Sequence, residues 1–124
     1  MRKETKMKII KNSEGLTFEQ FQELSRGERM DNLSESGLEF LDLTEWALFD
    51  DLNADGSVTR VLAVKDSDGS TVVTVSNPFI TEFLNLLDMC DAYGRRLDSL
   101  RILHGMTKAG QEFLTCKVAK TSEV

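Results

Sequence analysis

Histidine and cysteine are scarce in this 124-residue chain, which has one of the first and two of the second. His104, Cys90 and Cys116 supply three groups at most, and the cysteines form no C-x-x-C pair. A four-ligand zinc site cannot be filled from them alone. The expectation is two buried free thiols. No apolar run approaches the ~20 residues that a membrane span needs. Residues 1–11 are basic and contain no apolar stretch of signal-peptide length. A cytoplasmic, reducing setting without a membrane partner is therefore expected. There is no G-x-x-x-x-G-K-[ST] phosphate loop, no G-x-G-x-x-G turn, no internal repeat and no low-complexity tract. Together these absences argue against an enzyme.

What is present suits one folded domain. Apolar residues make up 40% and charged residues 29% of the chain, which is ordinary for a globular protein. A chain of this length buries roughly two-thirds of its unfolded surface. The formal net charge is −6. An acidic whole does not attract nucleic acid, because phosphate binding needs local Lys and Arg. A basic patch on an acidic protein still can.

Residues 1–15 read as a loose basic leader, in which Met7, Ile9 and Ile10 allow a short strand. Residues 17–27 read as a helix. Thr17 and Gln20 have the capping-box spacing, Phe18, Phe21 and Leu24 make one apolar stripe, and Gly27 is a stop signal. Polar residues 28–37 read as a linker, so residues 1–37 form a leader and helical arm. Residues 38–52 fit a helix with Leu38, Leu41, Glu45 and Leu48 on one face, or a strand with Leu38, Phe40, Asp42, Thr44, Trp46 and Leu48 on one period-2 face. The turn and strands that follow favour a long strand with a bend.

Turn signals then mark off the rest. Asn53-Ala54-Asp55-Gly56 precedes a β-branched strand at 57–65. Asp66-Ser67-Asp68-Gly69 joins it to a strand at 70–76, making a hairpin. Asn77 reads as the cap of a helix with Pro78 at its first position. Its apolar face runs from Phe79 to Cys90, and it ends near Gly94. Strands at 99–104 and 111–119 flank a turn at Thr107-Lys108-Ala109-Gly110. From residue 38 to 120 the order is β-β-β-α-β-β, with a tail at 121–124. That is the order of the OB-fold, a five-stranded Greek-key barrel that binds oligonucleotides and oligosaccharides. The expected class is therefore mainly β with helices, an OB-like barrel preceded by a helical arm.

Asp51-Leu52-Asn53-Ala54-Asp55-Gly56 matches the first half of an EF-hand loop, D-x-[DN]-x-[DN]-G. The twelfth position, where a bidentate Glu belongs, is Leu62. An acidic hairpin turn is the preferred reading and a calcium site the lesser one. Cys90 and Cys116 fall on apolar faces, where thiols are usually inert, so neither is favoured as a nucleophile paired with His104. The carboxylates at Asp50, Asp51 and Asp55 have no evident acid–base partner.

Single-strand binding needs cations for phosphates and flat rings for bases. Arg60 and Lys65 lie on the second expected strand, Arg101 on the fourth, Lys108 in the last turn and Lys117 on the last strand. Trp46, Phe49 and Phe113 lie near or between them. The candidate nucleic-acid contacts are Arg60, Lys65, Arg101, Lys108 and Lys117 for the backbone, with Trp46 and Phe113 for stacking.

Three stretches, within roughly residues 45–120, resemble the single-stranded DNA-binding proteins of bacteriophages. They are Asp55-Gly56 with the strand after it, Thr74-Val75-Ser76-Asn77-Pro78-Phe79 where the helix begins, and the closing hairpin with its T/S-K-x-G-x-x-[FY]-x-[TS] pattern at residues 107–115. The resemblance implies an OB-fold that binds single-stranded DNA in phage or mobile-element replication or recombination. It also implies a homo-oligomer and contacts with replication or recombination proteins. Lys120-Thr121-Ser122-Glu123-Val124 is not the acidic, Phe-tipped tail of the cellular members. The alternative reading is a non-enzymatic protein-interaction module with the 17–27 helix as its docking arm.

Overall fold

Three turns of one design set the strand order. The computed structural model describes residues 7–29 and 38–124. At each turn the first residue pairs with the fifth, and the glycine amide donates back to the first carbonyl. Thus Asn53 N donates to Ser57 O at 2.8 Å and Gly56 N to Asn53 O at 3.0 Å. The same bonds recur at Asp66–Ser70 and at Thr107–Gln111. Gly56, Gly69 and Gly110 have φ of 88°, 88° and 84°, a region open to glycine and costly for other residues. The motif is a type I turn closed by a left-handed residue, a common hairpin connection.

The elements are β1 (Met7–Asn12), α1 (Phe18–Leu24), β2 (Glu28–Arg29), β3 (Phe40–Asp42), β4 (Glu45–Leu52), β5 (Val58–Lys65), β6 (Thr71–Thr74), α2 (Asn77–Tyr93), β7 (Arg95–Met106) and β8 (Glu112–Glu123). They form two sheets. The larger has the order β1-β4-β5-β6-β2 and the smaller β3-β7-β8. Every pairing is antiparallel except β2 with β6.

The expected long bent strand joins the sheets. Leu43 N donates to Asp98 O, on β7, at 2.8 Å, and Thr44 N donates to Lys65 O, on β5, at 3.3 Å. Consecutive amides therefore serve different sheets. The bend also breaks the period-2 phase expected over 38–52. Phe40 is 52% exposed and Trp46 only 9%, so the two rings do not share a face.

The main core lies between the sheets and under α2. Leu41, Trp46, Leu48, Leu62, Val64, Leu100, Ile102 and Cys116 meet Phe79, Ile80, Phe83 and Leu86 of the helix there. Trp46 and Phe83 pack edge to face, with centroids 5.0 Å apart. The helix is capped by Ser76, one residue before the expected Asn77, and closed by Gly94 in the left-handed region.

A second core explains α1. Leu24 with half-buried Phe21 covers Ala47, Phe49, Ala63 and Val73 on the other face of the larger sheet. The expected capping box is present. Gln20 N donates to Thr17 Oγ1 at 3.2 Å, and Thr17 N to Gln20 Oε1 at 2.8 Å. Complete burial of a leucine such as Leu24 contributes roughly 1.5–3 kcal/mol, so this helix is part of the fold and not a free arm. Phe18 is 74% exposed and falls outside the buried stripe.

Several expectations are corrected here. The chain is mainly β with two helices among the described residues, but the strands do not close into a barrel. β2 occupies the edge of β6 that closure with β8 would need, with Glu28 opposite Val72 and Arg29 opposite Val73. Across that gap Ser76 Oγ donates to Leu114 O at 2.8 Å. The division after residue 37 is not a break in pairing, since β1 is hydrogen-bonded along β4. Residues 28–29 form a strand, and the rest of the expected linker lies outside the described residues. Residues 121–123 continue β8 and are not a tail. Gly27 acts by close approach, because a Cβ there would fall 2.7 Å from Thr71 Cγ2.

Candidate nucleic-acid interface

The candidate residues divide between the sheets. Arg60 and Lys65 are on β5, two residues before buried Leu62 and two after buried Ala63, and strand alternation sends them to opposite faces. Arg60 lies opposite Asp50. Its Nε donates to Asp50 Oδ1 at 2.8 Å and its Nη2 to Oδ2 at 3.2 Å. Hydrogen bonding to this guanidinium holds the Asp50 carboxyl below the usual carboxylate range against the opposing effect of burial, helped by the charges of Arg60 and Lys8. Lys65 Nζ is 3.7 Å from Glu23 Oε2 on α1. Both cations thus already face a carboxylate.

Trp46 is not a stacking surface. The side chain is buried in the main core, and its backbone is tied to Ser13, whose Oγ accepts from Trp46 N at 3.1 Å. Phe49 is likewise buried, edge to face with Phe21 at 5.3 Å. The sequence signal for Trp46 misleads because the run Trp46-Ala47-Leu48-Phe49 is buried throughout. A strand covered on both faces shows no alternation from which an outward side could be read.

The smaller sheet brings the remaining residues together. Phe40 on β3 lies opposite Arg101 on β7, and Arg101 lies opposite Lys117 on β8. Register therefore sets a ring and two cations in one row across three strands. Leu41, Leu100, Ile102 and Cys116 turn inward, so the row is on the outer face. Arg101 Cζ is 5.8 Å from the Phe40 ring centroid, within cation–π range. Neither Arg101 nor Lys117 is in an ion pair among the described residues. The nearby Asp42 carboxylate is turned aside and accepts from Ser67 Oγ at 2.6 Å.

Half-buried Leu103 and Thr115 form the next row, then Gly105 and Phe113. The Phe113 ring lies against Gly105, where any added methyl group would collide with it. Glycine here lets the ring lie down on the sheet. Lys108 is exposed in the β7–β8 turn. Arg101, Lys108, Phe113 and Lys117 thus belong to one hairpin, and Arg60, Lys65 and Trp46 do not join them. Phe40 is the ring that sequence reasoning missed. The signal for it lies in the bend after Asp42, which reverses which side of the strand faces out.

Other chemistry finds little support. Asp55 Oδ1 accepts from Ser57 N at 2.9 Å and from Ser57 Oγ at 2.6 Å, so it is spent on the turn. Leu62, at the EF-hand's twelfth position, is fully buried. Among the described residues no group of three or more His, Cys, Asp or Glu is placed to hold a metal ion, and no helix is long and apolar enough to cross a membrane. Both cysteines are free. Burial pushes the Cys116 thiol up to about 12, while exposed His104 lies opposite Leu114. Comparison of the chain with protein-family models, curated proteins and solved structures finds no match.

Proposed function

We propose that this chain binds single-stranded DNA through the outer face of β3, β7 and β8, with phage or mobile-element replication or recombination as the setting. The observation that carries this reading is the row Phe40–Arg101–Lys117. It combines an exposed ring with two cations that no carboxylate neutralises among the described residues, the pairing that single-strand recognition needs. Its elements also support an OB-like reading, open instead of closed. One bent segment is shared by two sheets, a hairpin follows it, then a helix, then a second hairpin. The strands 2–3 face used by OB-folds corresponds here to β5 and β6 under α1, so the binding role moves to the other sheet. The family resemblance further suggests a homo-oligomer that meets replication or recombination proteins.

The test is fluorescence anisotropy of a labelled, unstructured poly-dT strand at rising salt. Binding should weaken as salt rises, with a log–log slope of about −0.7 per phosphate contact. Arg101→Ala with Lys117→Ala should flatten that slope by about 1.4. Absence of binding at low salt, or a slope that the double variant leaves alone, would overturn the proposal.

The interaction-module reading keeps one observation in its favour. Met7, Ile9 and Ile10 are exposed on β1, an edge strand, and an apolar edge invites a partner strand. The 17–27 helix is not its docking arm, because Phe21 and Leu24 are used within the chain. Retention of an unrelated protein by a chain that ignores oligonucleotides would favour it.

A further inference from the structure

The geometry points to a short, extended ligand: we propose that the face takes a single strand of about four nucleotides with unstacked bases, running obliquely from Phe40 to the β7–β8 turn. This rests on the single-strand reading and adds the ligand's conformation, length and path.

The path follows from register. Phe40 lies opposite Arg101, and Phe113 opposite Gly105. The rings are thus two strands apart and four residues apart along the strand. With strands ~4.8 Å apart and ~3.3 Å per residue, their separation is roughly 16 Å. Lys108 lies further along the same hairpin, so Phe40 to Lys108 spans roughly 25 Å. Successive bases of a stacked strand rise only ~3.4 Å along its axis. Neighbouring stacked bases could not each reach one of two rings so far apart. A strand opened to roughly twice that spacing covers the path with about four nucleotides, the lower end of the range for one OB-type site.

Each group has a place along this line. Phe40 takes the first base. Arg101 and Lys117, side by side, take the phosphates between the rings. Leu103 and Thr115 form a low floor that lets the backbone pass. Phe113, lying flat on Gly105, takes the last base, and Lys108 meets the phosphate beyond it. A duplex is disfavoured, because its bases are paired and stacked and offer neither ring a free face.

The experiment is anisotropy with labelled dT2, dT3, dT4, dT6 and dT12 at low salt, together with a hairpin duplex, on the full chain. Affinity should climb steeply to dT4 and then rise only as the number of registers grows. The duplex should bind at least 10-fold more weakly. Phe113→Ala should weaken dT4 by roughly 10-fold and leave dT2 nearly unchanged, with an unaltered melting temperature as the control for folding. Continued steep gain to dT12 with one chain per strand would overturn the footprint while leaving single-strand binding standing. Equal loss for dT2 and dT4 in Phe113→Ala would overturn the path. No binding at any length would remove the parent reading itself.

Discussion

Arg60 is held by both carboxylate oxygens of Asp50, its partner directly across the β4–β5 ladder. A phosphate must compete with that carboxylate, whereas Arg101 lies against the Phe40 ring and beside Lys117, with no carboxylate paired to it among the described residues. The cations should therefore differ in a binding assay. Arg60→Ala is expected to change poly-dT affinity less than twofold, and Arg101→Ala to lower it about 10-fold, consistent with one charge-assisted hydrogen bond of ~1.5–3 kcal/mol. Asp50→Asn, which frees the guanidinium, should raise affinity at low salt. Anisotropy titrations of the three variants check the order.

Phe40 and Trp46, six residues apart on one segment, should separate stability from binding. Phe40→Ala should cost about 1–3 kcal/mol of single-strand affinity with little change in melting temperature. Trp46→Ala should cost about 3–5 kcal/mol of stability, the range for emptying a buried aromatic site. Trp46 emission should also be blue-shifted and should move little when oligonucleotide binds. Urea denaturation and fluorescence titration test both halves.

This contrast marks what could be read from the residues alone. Element order was legible from Asn53-Ala54-Asp55-Gly56 and its two counterparts, because glycine with positive φ has few alternatives in a tight turn. The capping box at Thr17 was legible for the same local reason. Which way each ring points was not, because it depends on the bend at Leu43–Thr44, and that bend is fixed by hydrogen bonds to Asp98 and Lys65 far along the chain. The ends of β7 and β8 were also hidden. Arg95 and Thr121 look like loop residues until the Arg95 guanidinium is seen donating to Thr121 Oγ1 at 3.0 and 3.1 Å.

Ser76 is expected to matter beyond its exposure. Its hydroxyl accepts from Phe79 N at 3.4 Å and donates to Leu114 O at 2.8 Å, so it caps α2 and spans the gap between β6 and β8. Ser76→Ala should lower stability by about 1–2 kcal/mol, the upper range for losing a helix cap. Ser76→Thr should recover part of it. Chemical denaturation curves with matched slopes provide the comparison.

Acid should weaken the fold through aspartates whose ionised form is favoured by folding. Asp50 is held low by Arg60, and Asp55 and Asp68 by the hydroxyl and amide of Ser57 and Ser70. A depressed folded-state pKa contributes stability above the unfolded value, near 4, and that contribution is lost as pH falls through the lower folded value. Melting temperature should be flat from pH 7 to about 5 and fall below about 4. Asp50→Asn should start lower at neutral pH and show a shallower acid limb in the same series of melts.

The two thiols should differ from free thiols in the native state. Cys116 is buried and raised to about 12, and burial also raises half-buried Cys90. A disulfide reagent at pH 8 should label Cys116 only after denaturant is added, with Cys90 slower than a free thiol. Rapid native labelling of both would show that the interior between the sheets opens readily.

The segment from Phe40 to Leu52 is a wall common to two rooms. Its first part is the edge of one sheet and its second an inner strand of the other, with two adjacent amides making the exchange. Neither sheet can shed this segment without loosening its neighbour. A ligand that straightens or stiffens the β3–β7 edge therefore also tightens β4 and β5, some distance from where it sits. Amide hydrogen exchange along β5 is expected to slow when the opposite sheet is occupied, so the larger sheet would register a binding event that it never touches.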